Sequence, residues 1–345
     1  MNVLMIGAGM VAQTHILAIR DNQAGARLLS VLGRDPARVQ QFCVQAAATL
    51  GYEVPPYTSL EAALAQQPDI ALVITPPDAR LDYARALGAA GVPTLMEKPV
   101  ERGLSAAQNI VEMYAKADVP LGLCFQHRTR SATQTLKQKL DTGALGDIVH
   151  VEIRVPWWRD QGYYDAPGRG TYARDGGGVM INQAIHTLDL ALWLAGPVSH
   201  LQAMMRTSPL HQMEAEDIAA ALLRFASGAT GVLSATTTAY PGTAESITLT
   251  TTRAQVHLEG DTLKIDWLSG KSDHTAPDGG AATGGGADPM AFTHAWHQSV
   301  LEDFVEAVSE GRAPLAPAKD ALHVHAVIDA MERAARSGEI VEVMQ

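Results

Sequence analysis

The hydrophobic and polar positions along the chain follow two rhythms. In the first third, short apolar runs at residues 3–6, 28–32, 70–74 and 92–96 alternate with stretches of three- and four-residue apolar spacing, such as 60–66 and 79–90. Strands alternating with helices pair in parallel through right-handed crossovers, which predicts a doubly wound sheet over residues 1–122. Near Leu123 the rhythm changes. Residues 147–155 alternate strictly, with Val149, Val151, Ile153 and Val155 on one face and His150, Glu152 and Arg154 on the other, as in a strand with one wet face. Residues 218–225, 231–238, 246–251, 255–258 and 263–267 read as further strands joined by short turns, and 179–194, 297–309 and 319–336 as helices. The prediction is an α/β chain whose second part, residues 123–345, is an α+β domain with a large, mostly antiparallel open sheet and helices on one side. Residues 274–289, dominated by Gly and Ala, predict a mobile loop.

Composition narrows the classes of function. With 345 residues and 47% hydrophobic content, the chain can bury the cores of two domains. Its formal net charge of -11, with no Lys/Arg-rich block, opposes nucleic acid and anionic membrane surfaces as partners. Cys43 and Cys124 are the only cysteines and form no CxxC pair, which suits a reducing, cytoplasmic setting and a protein without a thiolate metal site. No stretch is long and apolar enough to span a bilayer, and the apolar N-terminus lacks the basic flank of a signal peptide. The pairs His294/His297 and His323/His325 come with no convergent carboxylates or thiols, so no metal is expected.

Gly7-Ala8-Gly9-Met10-Val11-Ala12 fits GxGxxA between a strand and a helix. Gly7 permits the tight turn, Gly9 lets the backbone approach a pyrophosphate, and Ala12 lets helix and strand pack closely. Met10 and Val11 sit where the helix N-terminus offers its N–H groups. The pattern predicts the dinucleotide-binding turn of a Rossmann domain, with a glycine-rich turn that holds no ligand as the alternative. After the second strand, Gly33 stands where a carboxylate commonly binds the ribose 2′-hydroxyl, and Arg34 follows it. A missing carboxylate and an available guanidinium favour a 2′-phosphate, hence NADP(H), with NAD(H) as the alternative. Asp35 either contributes to that site or N-caps a helix starting at Pro36.

In such sheets ligands lie outside the carboxyl ends of the strands. Thr75-Pro76-Pro77 and Glu97-Lys98-Pro99 both lie at such ends. The residue before a proline is held extended, so Pro99 sets the direction of Lys98. A lysine beside a positive nicotinamide has its ammonium form disfavoured, which brings it toward general acid–base range; a solvated surface lysine is the alternative. Downstream, Gly176-Gly177-Gly178 leads into a predicted helix on which Asn182 and His186 are one turn apart and share a face. The pair either faces a cleft or is satisfied in the core. Asp189 either orients the His186 imidazole or does not touch it. Trp157, Trp158, Tyr163 and Tyr164, with Arg159 and Arg169 close by, form a cluster whose faces and tips suit sugar C–H groups and hydroxyls, or equally sheet-edge packing. Gln126, His127 and Arg128 begin the second domain as further contacts, Gln126 toward cofactor and Arg128 toward substrate.

With GAGMVA, TPP, MEKP and GGGxxxNxxxH in this order, and with Trp296-His297 and Gly311-Arg312-Ala313-Pro314 near the end, the chain resembles the glucose-fructose oxidoreductase/inositol dehydrogenase (Gfo/Idh/MocA) family over essentially its whole length. The resemblance implies that Lys98 contacts nicotinamide and substrate, and that His186 contacts the reacting hydroxyl of a sugar or polyol. It also implies, with the semi-apolar sheet face, a homodimer or homotetramer. Two positions depart from the common pattern. Asn182 replaces an Asp, and Arg80 replaces a His after TPP. The expected activity is hydride transfer between nicotinamide and a secondary alcohol carbon, with Lys98 and His186 in proton transfer. The competing classes are a glycosidase-type enzyme acting by transient oxidation with tightly bound NAD, and a non-catalytic dinucleotide-binding regulator.

Overall fold

The computed structural model describes residues 1–276, 285, 286, 288 and 290–344. In chain order the elements are β1 (Asn2–Ile6), α1 (Ala12–Asp21), β2 (Arg27–Leu32), α2 (Pro36–Leu50), β3 (Pro56–Tyr57), α3 (Leu60–Leu64), β4 (Ile70–Val73), α4 (Arg80–Ala89), β5 (Thr94–Met96), α5 (Leu104–Ala117) and β6 (Leu121–Leu123). There follow α6 (Ser131–Asp141), β7 (Ile148–Pro156), α7 (Gln161–Tyr164), a π-helical turn (Met180–Ala184), α8 (Ile185–Ala195), β8 (Val198–Arg206), β9 (Ile218–Phe225), β10 (Thr230–Thr236), β11 (Ser246–Thr251), β12 (Ala254–Glu259), β13 (Thr262–Trp267) and β14 (Ser272–Thr275). The chain closes with α9 (Ala295–Glu310), α10 (Ala318–Ser337) and β15 (Val341–Glu342). No helix among the described residues is long and apolar enough to cross a membrane.

One compact unit comprises Met1–Glu101, Ser105–Gln126 and His294–Ala321. Its described strands form a six-stranded sheet in the order β3-β2-β1-β4-β5-β6, every neighbouring pair parallel, as the strand–helix alternation predicted. The order reverses between β1 and β4, so the crevice that binds ligands in such sheets opens beyond the carboxyl ends of these two strands. Val3 and Met5 on one face of β1 and Leu4 and Ile6 on the other are all buried, as are Ile70, Leu72, Ala71 and Val73 of β4, so both faces of the sheet are covered and the strands read as continuous apolar runs. Helix α9 belongs to this core: Val300, Leu301, Phe304 and Val305 pack into it. A Cβ at Gly122 would lie 2.8 Å from the Phe304 ring, so the glycine lets α9 press against β6.

The other unit comprises Arg102–Leu104, His127–Thr293 and Leu322–Gln345. Its sheet, nine-stranded among the described residues, has the order β14-β13-β12-β11-β7-β10-β9-β8-β15 and is antiparallel except for the parallel pair β7/β10. One face is buried, with Val151, Ile153 and Val155 of β7 and Leu249, Val256 and Ile265 of its neighbours. Val149 departs from the predicted alternation and is half exposed, because the β7/β11 register slips between Thr250 and Thr251 and turns that residue out of the inward series. Strand β8 went unpredicted, since Ser199, His200 and Gln202 break its apolar alternation. The expected loop at 274–289 begins inside β14. Residues 277–284, 287 and 289 lie outside the described residues, while Gly285 and Gly286 accept hydrogen bonds from Trp158 and Arg159.

Candidate active site

The glycine turn after β1 has the geometry a dinucleotide requires. Gly7 adopts φ 113°, and a Cβ there would press within 3.2 Å of the Ile74 and Thr75 backbone. Only glycine therefore fits between the ends of β1 and β4. Helix α1 starts at Ala12 with Val11 at its N-cap and no side-chain cap; the Ala12 N–H turns back to the Gly9 carbonyl at 3.1 Å, and the N–H groups that follow in the first turn are left for an anion. Met10 is exposed beside them, and Ala12 is fully buried against the strand. These features fit a bound pyrophosphate.

At the end of β2, Gly33 faces Val39, whose Cβ would lie 3.1 Å from any Cβ added at the glycine. A carboxylate at position 33 would thus have to displace Val39. Asp35 is the N-cap of α2, accepting from the N–H groups of Ala37 at 2.9 Å and Arg38 at 3.1 Å, which settles the alternative the sequence left open. Arg34 is exposed. Sequence reasoning passed over Arg38, whose Nη2 donates to the Ala8 carbonyl at 3.0 Å and which lines a cleft of about 530 Å³ with Ala8, Gly9 and Gln13.

At the ends of β4 and β5, Thr75 and Pro76 are half buried, and Thr75 Oγ1 has no hydrogen-bond partner among the described residues. Lys98 is half buried directly after β5, and its peptide bond to Pro99 is cis. Glu97 turns its carboxylate into the unit's interior. Its Oε1 is 2.8 Å from His15 Nε2 and 3.6 Å from His297 Nε2. Burial alone would push this carboxyl up, but the hydrogen bonds from the two histidines hold it well below the usual carboxylate range. Burial lowers His297 and raises the nearby Cys124 thiol. His15, Glu97 and Cys124 are the group of metal-ligand atoms found mutually close among the described residues. Gln126, buried in a 3-10 turn after β6, completes the set expected around the cofactor.

In the other unit, the His186 helix opens with the π turn at Met180–Ala184 rather than as the continuous α-helix expected. This turn alters the register between Asn182 and His186. Asn182 Nδ2 donates back to the carbonyls of Gly177 at 2.9 Å and Gly178 at 3.1 Å. His186 is buried and stacks on His127, ring centroids 5.0 Å apart and planes 29° apart. Arg128 donates from Nε and Nη2 to Asp189, so these two residues engage each other. Glu216, unmarked by any sequence signal, accepts from the N–H groups of Gly178 and Met180 at 3.0 Å each, while its backbone carbonyl takes the N–H of Val179. A Cβ at Gly178 would collide with that carbonyl, which explains the glycine.

The predicted aromatic cluster forms. Trp158 is half buried and meets Tyr240 edge-on at 5.3 Å. The Arg159 guanidinium lies 5.4 Å from the Trp157 ring centroid and 5.6 Å from that of Tyr163, and donates to the carbonyls of Trp158 and Gly286. Tyr164 is buried with its hydroxyl 2.7 Å from Thr237 Oγ1, and burial raises its pKa. Tyr163 is the more open tyrosine. Its hydroxyl accepts from Gln183 Nε2 at 3.3 Å, and Arg169 covers its ring at 4.8 Å. His211, 2.8 Å from Asp217 and 2.9 Å from the Arg159 carbonyl, braces the cluster from behind.

The parallel sheet, its glycine turn and the uncapped helix after it define a dinucleotide-binding protein of Rossmann type. Residues 1–125 match the model of the oxidoreductase family with an NAD-binding Rossmann fold, and residues 133–259 match the GFO/IDH/MocA C-terminal domain. The chain belongs to the Gfo/Idh/MocA family and is an NAD-binding oxidoreductase. It is 26% identical over 368 residues to a D-apiose dehydrogenase of Rhizobium rhizogenes, covering 98% of this chain and 96% of that one. With an inositol 2-dehydrogenase of Rhizobium meliloti it shares 25% identity, covering 95% of each. Among solved structures, the WlbA dehydrogenase of Bordetella pertussis in complex with NADH and UDP-GlcNAcA superposes with a TM-score of 0.82 at 28% identity, covering 99% of this chain and 98% of that one.

Proposed function

We propose that the protein transfers a hydride between C4 of a nicotinamide and a secondary hydroxyl or ketone carbon of a sugar, polyol or related cyclic compound. In the oxidative direction the carbinol hydride passes to the nicotinamide and the hydroxyl proton passes to Lys98 Nζ, leaving a ketone and the reduced dinucleotide. His186 positions or shares that proton. Asn182, Arg128, Trp158, Arg159 and Tyr164 serve the substrate side, Arg128 by holding the His186 helix through Asp189. The observation that carries this reading is the half-buried lysine at the carboxyl end of β5, in the same sheet as the Gly7–Gly9 turn. A D-apiose dehydrogenase and inositol 2-dehydrogenases among the relatives support the substrate class.

The dinucleotide preferred is NADP(H), with NAD(H) as the alternative. The crowding at Gly33, the use of Asp35 as a helix cap and the exposed Arg34 support that preference. A homodimer or homotetramer through the nine-stranded sheet completes the reading, supported by Met204, Leu222 and Val232 exposed on neighbouring strands β8, β9 and β10.

The test is spectroscopic. The purified protein is incubated with NADP⁺ or NAD⁺ and, in turn, myo-inositol, D-apiose and a panel of cyclic polyols and sugars, and reduced nicotinamide is followed by absorbance. Substrate-dependent accumulation of reduced dinucleotide is expected. Substrate breakdown without net reduction would replace the reading with transient oxidation, and binding without any turnover would replace it with a regulator.

A further inference from the structure

Arg80 is the first residue of α4, yet its side chain is 2% exposed, far more buried than a helix-surface arginine. The described hydrogen bonds of its guanidinium all end on main-chain carbonyls at the carboxyl ends of two strands. Nε and Nη2 reach Thr75 O after β4 at 3.0 and 2.8 Å. Nη1 donates to Glu97 O after β5, and Nη2 reaches Lys98 O at 3.4 Å. Where a parallel sheet ends, carbonyls pointing beyond the last ladder bond lack backbone partners, and leaving them buried and unpaired is costly. A planar fork of five N–H donors reaches three such oxygens from three nitrogens held in fixed directions; an ammonium has three donors but gathers them at one atom, and an imidazole has only two. Burial pushes the guanidinium down to about 10, so it stays a cation at neutral pH, with the buried Glu97 carboxylate as its main electrostatic counterpart.

We propose that Arg80 is a positioning residue for the reaction: by bridging the carbonyls of Thr75, Glu97 and Lys98 it locks the loop after β5 to the loop after β4, and so fixes Lys98 relative to the nicotinamide. The proposal rests on the reading of Lys98 as the proton-exchanging group. It assigns Arg80 no contact with substrate or dinucleotide. Arg80 acts through the backbone of Lys98. Because the fork reaches both strand ends from one side chain, its loss lets the two loops move independently while the strands themselves stay paired.

Arg80→Lys keeps the charge and loses the fork, and Arg80→Met loses both. Three measurements on the full chain decide the matter: NADH and NADPH affinity, turnover of myo-inositol or whichever probe the wild type oxidises, and hydrogen exchange of peptides spanning residues 74–80 and 96–102 with and without whichever of NADPH and NADH binds the wild type more tightly. The expected result for Arg80→Lys is a kcat loss of about 10- to 100-fold, with KM and dinucleotide Kd within about threefold, and a loss of the dinucleotide-dependent protection of 96–102. Arg80→Met is expected to show the same split, more severely. A kcat within about twofold of wild type, or protection of 96–102 that survives in both variants, overturns the proposal. If Arg80→Met fails to fold, Arg80→Lys alone decides. A wild type that oxidises no probe, yet shows protection by its tighter-binding reduced dinucleotide that Arg80→Lys abolishes, overturns hydride transfer as the function and keeps Arg80 as the residue that positions the loop. No protection in the wild type overturns both.

Discussion

Arg128 and Asp189 form a bidentate ion pair, 2.9 Å from Nε to Oδ2 and 2.6 Å from Nη2 to Oδ1, with both side chains sealed from solvent. Breaking a buried pair from one side leaves an uncompensated charge, whereas removing both partners does not. Arg128→Met is therefore expected to cost about 3–5 kcal/mol of stability, and the double change Arg128→Met with Asp189→Leu to recover most of it. Urea unfolding of the two variants checks this; equal losses would show that the pair is not acting as a unit.

Glu216 supplies a pH dependence. Burial raises its carboxyl from 4.5 to about 7, with Glu332 adding to the shift and the backbone N–H groups of Gly178 and Met180 opposing it. Since the folded value lies above the unfolded one, the native state holds this proton more tightly. The resulting stabilisation is complete below about pH 4.5 and is lost as pH rises through about 7, a change of roughly 3 kcal/mol. Glu216→Gln should flatten the stability profile across that window. Urea midpoints at pH 5 and pH 8 that shift equally in wild type and variant would refute the assignment.

If Lys98 takes the hydroxyl proton as proposed and the glycine turn holds the dinucleotide, Lys98→Met should lower kcat by about 10²- to 10⁴-fold while leaving dinucleotide affinity nearly intact. On the same proposal His186→Asn should raise KM as well, as expected for a substrate contact. Steady-state kinetics with a separate dinucleotide titration resolve the two effects.

The two arginines near the start of α2 should separate. A charge-assisted bond to a 2′-phosphate is worth about 1.5–3 kcal/mol, so Arg34→Ala should weaken NADPH binding at least tenfold and leave NADH almost unchanged. Arg38→Ala, which removes a bond to the Ala8 carbonyl, should affect both dinucleotides alike. Fluorescence titrations of both reduced forms against both variants distinguish the roles.

On the nine-stranded sheet, Met204 is 76% and Leu222 61% exposed, on adjacent strands β8 and β9. Introducing lysine at both positions should move the light-scattering mass toward that of the single chain. An unchanged mass would place any subunit contact elsewhere.

The dinucleotide fold was legible because its information is local. Apolar runs, GxGxxA and strand-end prolines each fall within a dozen residues, and the six-stranded sheet follows from their order. Strands β9, β10 and β11 were readable for the same reason. What stayed hidden depends on partners distant in sequence. Nothing near Glu97 signals His15 and His297, which meet it from opposite parts of the chain. Arg128 and Asp189 sit 61 positions apart, so neither could be read as the other's counter-ion. The π turn at Met180–Ala184 leaves no apolar signature of its own, because those side chains would be buried in an α-helix as well.

The placement of α9 also bears on how the molecule is made. The first unit lacks His297, Leu301 and Phe304 until residues 294–321 have been synthesised, although its strands are finished by Leu123. At about 5–20 residues per second, roughly 10–40 s of translation separate the two events. During that interval the nascent sheet exposes the apolar groove that α9 later fills, offering a surface for chaperones on the ribosome and setting the order in which the two units can mature.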